Sequence, residues 1–268
     1  MLTQERHAFI MEKLATAGRV LSSELSGELG VSEDTIRRDL RQLSASGLLL
    51  KVHGGAVPRS NIELEFNTRA RAQLPEKRAI AAAAIRFLRP RTVVFFDAGT
   101  SVLEVPRAVP RDLAFTAVTH SPLAAAALAD LPLVEVHLIG GKVLKRGIVA
   151  TGPDTIDGYR KIRADIGFFG VACIDVEAGM TDPSHEEAAV KAVMIENTAT
   201  TVILAASDKL GKVSNFVTAP AATFDHLVTD AGAPESALAA WRAAGVDVLV
   251  AGTSGGSGGN GGSRSIET

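Results

Sequence analysis

Cysteine is nearly missing from this chain. Cys173 alone excludes an internal disulfide, leaves no cysteine set for a zinc ribbon and suits a reducing compartment. Aromatic residues are scarce at 4%, so the 46% hydrophobic content must build its core from Ala, Val, Leu and Ile. No apolar run reaches the ~18–20 residues of a membrane span, and no basic segment leading into an apolar one opens the chain as a secretion signal would. These absences predict a soluble cytoplasmic protein with no membrane partner. An excess of one charge is missing too: 28 Lys and Arg stand against 30 Asp and Glu, which excludes a general polyanion coat. The first sixty residues carry +1 and the remainder −3, so any DNA contact must rest on where arginines sit. A length of 268 residues fits one large or two ordinary domains.

What is present begins with "TQERHAFIMEKLATA" at 3–17, where Phe9, Ile10, Leu14 and Ala17 recur at helical spacing before Gly18. Arg19, Val20 and Leu21 read as a short extended piece. Ser22 reads as the N-cap of a second helix that carries Leu25 and Leu29 and ends at Gly30. Ser32 is the next N-cap, with Glu33 and Asp34 in the favourable first turn. Ile36, Leu40 and Leu43 form the buried stripe of the third helix, which Gly47 ends. "LLLKVHGGAVP" then reads as strand, glycine turn and returning strand. Helix, short helix, tight turn, helix and hairpin is the order of a winged helix-turn-helix. Thr35, Arg38 and Gln42 line one side of the exposed face of the third helix, Arg37 and Arg41 the other, and Asp39 is expected to pair with an arginine of that helix. In a helix-turn-helix the N-terminal part of this third helix enters the major groove, where arginine can take both acceptors of guanine. A merely solvated arginine helix is the alternative, and the two capped helices and the hairpin weigh against it. The residues expected at double-stranded operator DNA are Ser22, Ser32, Thr35, Arg37, Arg38, Arg41, Gln42, Lys51 and His53.

"VSEDTIRRDL" followed by "HGGA" resembles the DNA-binding domain of the DeoR family of bacterial transcriptional regulators over roughly the first fifty-eight residues. Lys51 and Val52 precede "HGGA" where the family often has arginine. Residues 59–74 read as a charged linker, and "EKRAIAAAAIRFL" as a helix stopped by Pro90. From residue 92 short apolar runs end in small or polar residues and lead into helices, the texture of a parallel sheet with helical crossovers. The expected organisation is a winged domain over 1–58, the linker, an effector domain over 75–232, its closing helix and strand over 233–251, and a disordered Gly/Ser-rich tail over 252–268.

In such sheets ligands gather at the carboxyl ends of strands, where "DAGTS", "THS", "GG" and "SDK" fall. Glycines admit backbone amides to an anion and hydroxyls add donors. Each loop alone reads as a turn or a cap; four in one sheet favour a small polar anion such as a phosphorylated sugar. "FFDAGTS", "VTHS", "LIGG", "EEAAVKAVMI" and "SDKLG" are similar to the DeoR-family sensor domain. That resemblance implies a fold related to ribose-5-phosphate isomerase, glucosamine-6-phosphate deaminase and CoA transferases. It implies a repressor released from its operator by a phosphorylated sugar, with contacts at Asp97, Gly99, Thr100, Ser101, Thr119, Ser121, Gly140, Gly141, Lys191 and Lys209. No cofactor or metal is expected. Ser101 replaces a usual threonine, His120 a usual asparagine and Leu144 a common arginine, for which Lys142, Lys145 or Arg146 are candidates to compensate.

Two rivals remain. An isomerase- or deaminase-like enzyme would draw its acid and base from His185, Glu186 and Glu187, although the two adjacent glutamates point different ways on a helix. A DNA-binding module whose second domain only oligomerises would have no use for four anion-friendly loops. A homodimer or higher oligomer is expected in any case, since two half-sites match two heads.

Overall fold

The computed structural model describes residues 2–17, 19–46, 48–52, 54–58 and 66–252. The head contains α1 (Thr3–Ala17), β1 (Val20–Leu21), α2 (Ser22–Leu29), α3 (Glu33–Ala45), β2 (Leu49–Val52) and β3 (Gly55–Pro58). The apolar spacing buries Ile10, Leu14, Leu25, Ile36, Leu40 and Leu43 with Val20, Leu49 and Ala56 in one cluster. Each fully buried Leu or Ile there stabilises the head by about 1.5–3 kcal/mol. Gly30 ends α2 in the left-handed conformation at φ 61°, and Ser32 caps α3 by accepting from the Thr35 amide. The strands pair antiparallel in the order β1-β3-β2, which is the wing. A Cβ on Gly55 would sit 2.0 Å from the Val20 carbonyl oxygen, so glycine is what lets β3 close on β1.

Two expectations are corrected here. Ser22 is the first residue of α2 and not its cap; Leu21 holds the cap position. Ser22 is buried, its amide donating to the Gly54 carbonyl of the wing turn. Asp39 does not pair within α3. It is buried and accepts from Arg6 Nε at 2.8 Å, Arg6 Nη2 at 3.0 Å and His7 Nε2 at 3.2 Å, which ties α3 to α1.

The segment read as linker contains a helix, α4 (Phe66–Arg71). It meets α5 (Leu74–Ala84) at Gln73, whose φ of 50° and ψ of 38° place a non-glycine residue in the left-handed region. Beyond lie the strands β4 (Val93–Phe96), β5 (Phe115–Thr119), β6 (Val134–Leu138), β9 (Ala164–Gly170), β12 (Thr198–Leu204), β14 (His226–Asp230) and β15 (Asp247–Ala251). They form a seven-stranded sheet in the order β15-β14-β12-β9-β4-β5-β6, and every neighbouring pair is parallel. The chain winds outward from β4 through β5 to β6, then returns to β9 on the other side of β4. The topological switch, where ligands collect in such sheets, therefore lies between β4 and β9.

Alternation along the strands feeds two cores. Val94, Phe96, Ile166 and Phe168 pack with Ile80 and Ala84 of α5, while Phe95 and Phe169 face the opposite cluster. The first face also takes α6 (Glu104–Ala108) and α7 (Pro122–Ala129). The second takes Tyr159 of α8 (Pro153–Arg160), Met194 of α9 (His185–Glu196) and Trp241 of α10 (Glu235–Ala243). A hairpin, β7 (Lys142–Leu144) with β8 (Val149–Thr151), and a small antiparallel sheet, β10 (Cys173–Asp175), β11 (Gly179–Asp182) and β13 (Phe216–Ala219), complete the domain. Among the described residues no helix is long and apolar enough to cross a membrane. The tail expected to be disordered, Gly18, Gly47 and His53 lie outside the described residues, apart from Gly252.

Candidate functional site

Two surfaces carry the chemistry. The first is the exposed side of α3. Thr35 is half-buried, its hydroxyl 2.9 Å from Ser32 Oγ. Arg37 is held by Glu33 at 2.7 Å and by Asp34 at 3.5 Å on the same helix. Arg41 donates from Nε to the Arg37 carbonyl, while Gln42 and Lys51 are exposed. Arg38 is exposed and, among the described residues, has no protein partner, so its guanidinium is free for a base edge or a phosphate. Thr35, Arg37, Arg38, Arg41 and Gln42 thus lie on the solvent side of α3, and Ser22 is buried away from it.

The second is a cleft of about 320 Å³ at the carboxyl ends of β4 and β9. Asp97 follows β4 and bridges the switch point: its Oδ2 accepts from the Gly170 amide at 3.0 Å. Lys191 of α9 stands 3.1 Å from the same oxygen and donates to the Gly170 carbonyl at 2.7 Å. Asp182, at the end of β11, lies 3.9 Å from Lys191. Burial pushes the Lys191 ammonium down, but Asp97, Asp182 and Glu187 outweigh it and leave it raised. Glu187 is pushed up to about 7 by burial first and by Asp182 second. At the opposite charge extreme, Lys77 and Lys209 also line the cleft, beside the loop Ala98–Ser101. Burial, and then the neighbouring Lys209, brings Lys77 down to about 8. Lys209 pairs with Asp208 at 2.8 Å. The cleft therefore offers ammonium groups and a glycine loop for an anion, and carboxylates for hydroxyls.

Of the effector contacts expected from sequence, the structure brings Asp97, Gly99, Thr100, Ser101, Lys191 and Lys209 into this cleft. Thr119, Ser121, Gly140 and Gly141 are not on its lining. Thr119 Oγ1 accepts from the Ser121 amide, and Ser121 caps α7 by accepting from the Ala124 amide, both buried. The Gly140 carbonyl accepts from Thr155 of α8, and a Cβ on Gly141 would lie 2.1 Å from Thr155 Oγ1. Gly141 thus serves the close packing of α8, whereas a Cβ on Gly140 would meet nothing within 4 Å. Lys142 and Lys145 are exposed, and none of Lys142, Leu144, Lys145 and Arg146 lines the cleft; the Arg146 charge does reach Glu187.

Among the polar residues of the cleft, sequence reading missed Arg69, Gln73, Lys77 and Asp182, and weighed Glu187 only as a catalytic candidate. Glu187 and Lys191, four apart on α9, share a helical face, and that spacing was a signal. Arg69 and Gln73 had none, because the segment before α5 shows no apolar period, and Lys77 falls in the charged first turns of α5, where a lysine reads as solvated. His120 lines the cleft as well. His185 is exposed with its ring against Phe216 at 5.4 Å, and Glu186 is exposed at the start of α9.

Both domains match known families. Residues 6–61 match the model of the DeoR-like helix-turn-helix domain and residues 72–231 that of the DeoR C terminal sensor domain. The HTH-type transcriptional regulator GlpR of Haloferax volcanii is 38% identical over 93% of this chain and 98% of its own length. The glycerol-3-phosphate regulon repressor of Escherichia coli K12 is 28% identical over 89% of this chain and 95% of its own. The putative aga operon transcriptional repressor of Escherichia coli O157:H7 is 28% identical over 93% and 94%. Among solved structures, ribose 5 phosphate isomerase A of Neisseria gonorrhoeae superposes with a TM-score of 0.38 at 15% identity, over 52% of this chain and 53% of that one. With matched models covering both the head and the sheet domain, the chain belongs to the DeoR family of DNA-binding transcriptional regulators.

Proposed function

We propose that this regulator is a cytoplasmic repressor of a carbohydrate-metabolism operon, released from its operator when a phosphorylated sugar or related metabolite fills the cleft. One observation carries the reading: the cleft is walled on one side by Arg69, Ala72, Gln73 and Lys77, which belong to the segment joining the DNA head to the sheet. A ligand there touches the connection between reader and sensor directly. Lys77, Lys209 and the amides of the Gly99–Ser101 loop take the phosphate, and Asp97, Asp182 and Glu187 take sugar hydroxyls. Effector and operator favour different settings of the α4–α5 corner, so each weakens the other's binding by the same factor. Names of relatives that mention a glycerol-3-phosphate regulon and an aga operon support effectors of this class.

The working form is a homodimer or higher oligomer, matching two heads to two half-sites. No cofactor takes part and no reaction is catalysed. In support, His185 and Glu186 lie off the cleft. Glu187 does line it beside Lys191, which favours a residual proton-transfer activity enough to test it. Fluorescence anisotropy on DNA upstream of the protein's own gene, at fixed salt, should show specific binding that one sugar phosphate reverses. Proton NMR of the same mixtures should show that compound unchanged. Specific binding indifferent to every compound would remove the sensor assignment, and turnover of a sugar phosphate would restore the enzyme reading.

A further inference from the structure

Tyr159, the only tyrosine of the chain, is fully buried in α8, and its hydroxyl lies 2.9 Å from His120 Nδ1 and also accepts from the His120 backbone. The rings meet edge-on with centroids 5.6 Å apart. A buried hydroxyl that only accepted here would leave its own proton without a partner, a costly arrangement. Tyr159 therefore donates, Nδ1 accepts, and the ring proton of the neutral imidazole sits on Nε2. Burial holds that ring neutral, its pKa brought down to about 4.

Nε2 lies 3.9 Å from Asp97 Oδ1, too far for a hydrogen bond. The other oxygen, Oδ2, is engaged by Lys191 and the Gly170 amide, whereas among the described residues no protein group donates to Oδ1. Both His120 and Asp97 line the cleft. A fixed donor and an open acceptor thus stand one bridging atom apart. An ammonium can only donate and a carboxylate or carbonyl can only accept; a hydroxyl does both.

We propose that His120 Nε2–H and Asp97 Oδ1 together read one hydroxyl group of the effector, and that Tyr159 is the positioning residue that sets the ring to do so. The inference rests on the cleft being the effector site and narrows the effector to a phosphorylated compound with a hydroxyl at that point. It also gives the replacement of a usual asparagine by histidine a physical role: the imidazole, in the loop after β5, is a donor aimed by a partner on α8.

The test has two arms. Nitrogen-15 NMR of the wild-type imidazoles, without ligand, should show His120 as the Nε2–H tautomer, and Tyr159→Phe should mix the tautomers. An Nδ1–H tautomer in the wild type overturns the proposal whatever binds. In the second arm glucose 6-phosphate, fructose 1-phosphate and glycerol 3-phosphate are titrated by calorimetry, and the tightest is compared with its single-deoxy analogues. One analogue should bind about tenfold or more weakly. His120→Phe should lose a similar factor on the parent compound and nothing further on that analogue, and His120→Asn should recover part of the loss. Equal deoxy discrimination in wild type and His120→Phe overturns this inference alone. Binding by none of the probes overturns it together with the functional reading.

Discussion

Lys77 Nζ donates to the Ala72 carbonyl at 2.6 Å and to the Arg69 carbonyl as well, so the side chain that closes the α4–α5 corner also faces the cleft. The Lys77 amide in turn donates to the Gln73 carbonyl at 3.0 Å. The corner is therefore pinned from both sides around a left-handed Gln73. An anion that draws the ammonium toward itself competes with those carbonyls.

Lys77→Met should leave operator binding in place and abolish release by the effector, read by anisotropy with and without the ligand. Retained release would remove Lys77 from the coupling. The lysine also has a pH signature. With its pKa lowered from 10.5 to about 8, the folded chain holds fewer protons than the unfolded chain between those values. Stability must rise with pH across that window. Denaturant melts of Lys77→Met should lose that rise, about 2 kcal/mol once solvent screening is discounted.

Glu187 gives the opposite sign. Its carboxyl is raised from 4.5 to about 7, so the folded chain holds more protons than the unfolded one between those values. Its contribution is present below about 4.5 and is lost as pH climbs through 7. Glu187→Gln should therefore melt higher than wild type at pH 8, by about 2 kcal/mol, and equally near pH 4. A variant less stable at pH 8 would show that the ionised carboxylate is held by its cationic neighbours Lys191 and Arg146 and is not opposed by Asp182.

Arg38→Ala should weaken operator binding by about 1–3 kcal/mol and relax preference at one base position. A loss uniform across sequences would assign Arg38 to a phosphate. Unchanged affinity would take it out of the reading face.

Asp39→Ala should destabilise the head by about 3 kcal/mol, because it leaves Arg6 and His7 without their shared buried acceptor. Burial would raise the Asp39 carboxyl, but the Arg6 and His7 hydrogen bonds together prevail and hold it below its ordinary value. That contribution is present above about pH 3.8 and disappears as pH falls through the lowered value. Thermal melts followed from pH 6 to pH 2 should show the wild-type advantage shrinking toward the acid end. A constant difference would mean that packing, not the ion pairs, accounts for the loss.

Much of this was legible along the chain, for reasons that stay local. Ile36, Leu40 and Leu43 define α3 because helical period alone decides which face is apolar. Ser32 marks its start and Gly30 the end of α2, because capping and left-handed backbone belong to single residues. Asp97, Gly99, Thr100 and Ser101 could be placed at a strand end because an apolar run stopping at small polar residues dictates it. Ser22 misled because a serine before a helical run looks like a cap, whereas the wing turn at Gly54 takes its amide and buries it. Asp39 misled because the nearest arginines in sequence lie on α3 and the partners that matter lie thirty-two and thirty-three residues away.

By itself, then, the amino-acid order determined the winged head, the parallel sheet with its helical crossovers and the loop that follows β4, since period, caps and strand ends are set by neighbours in the chain. Only the tertiary structure decided which polar groups meet. It brought Arg69 and Gln73 from a segment with no apolar period, and Lys77 from α5, into the cleft wall, engaged Thr119 and Ser121 in local hydrogen bonds, and set Gly140 and Gly141 against Thr155 of α8. It also set His120 between Tyr159 and Asp97. Those choices depend on how β4, β9, α8 and α9 approach one another, and that distance is fixed by close packing of side chains remote in sequence.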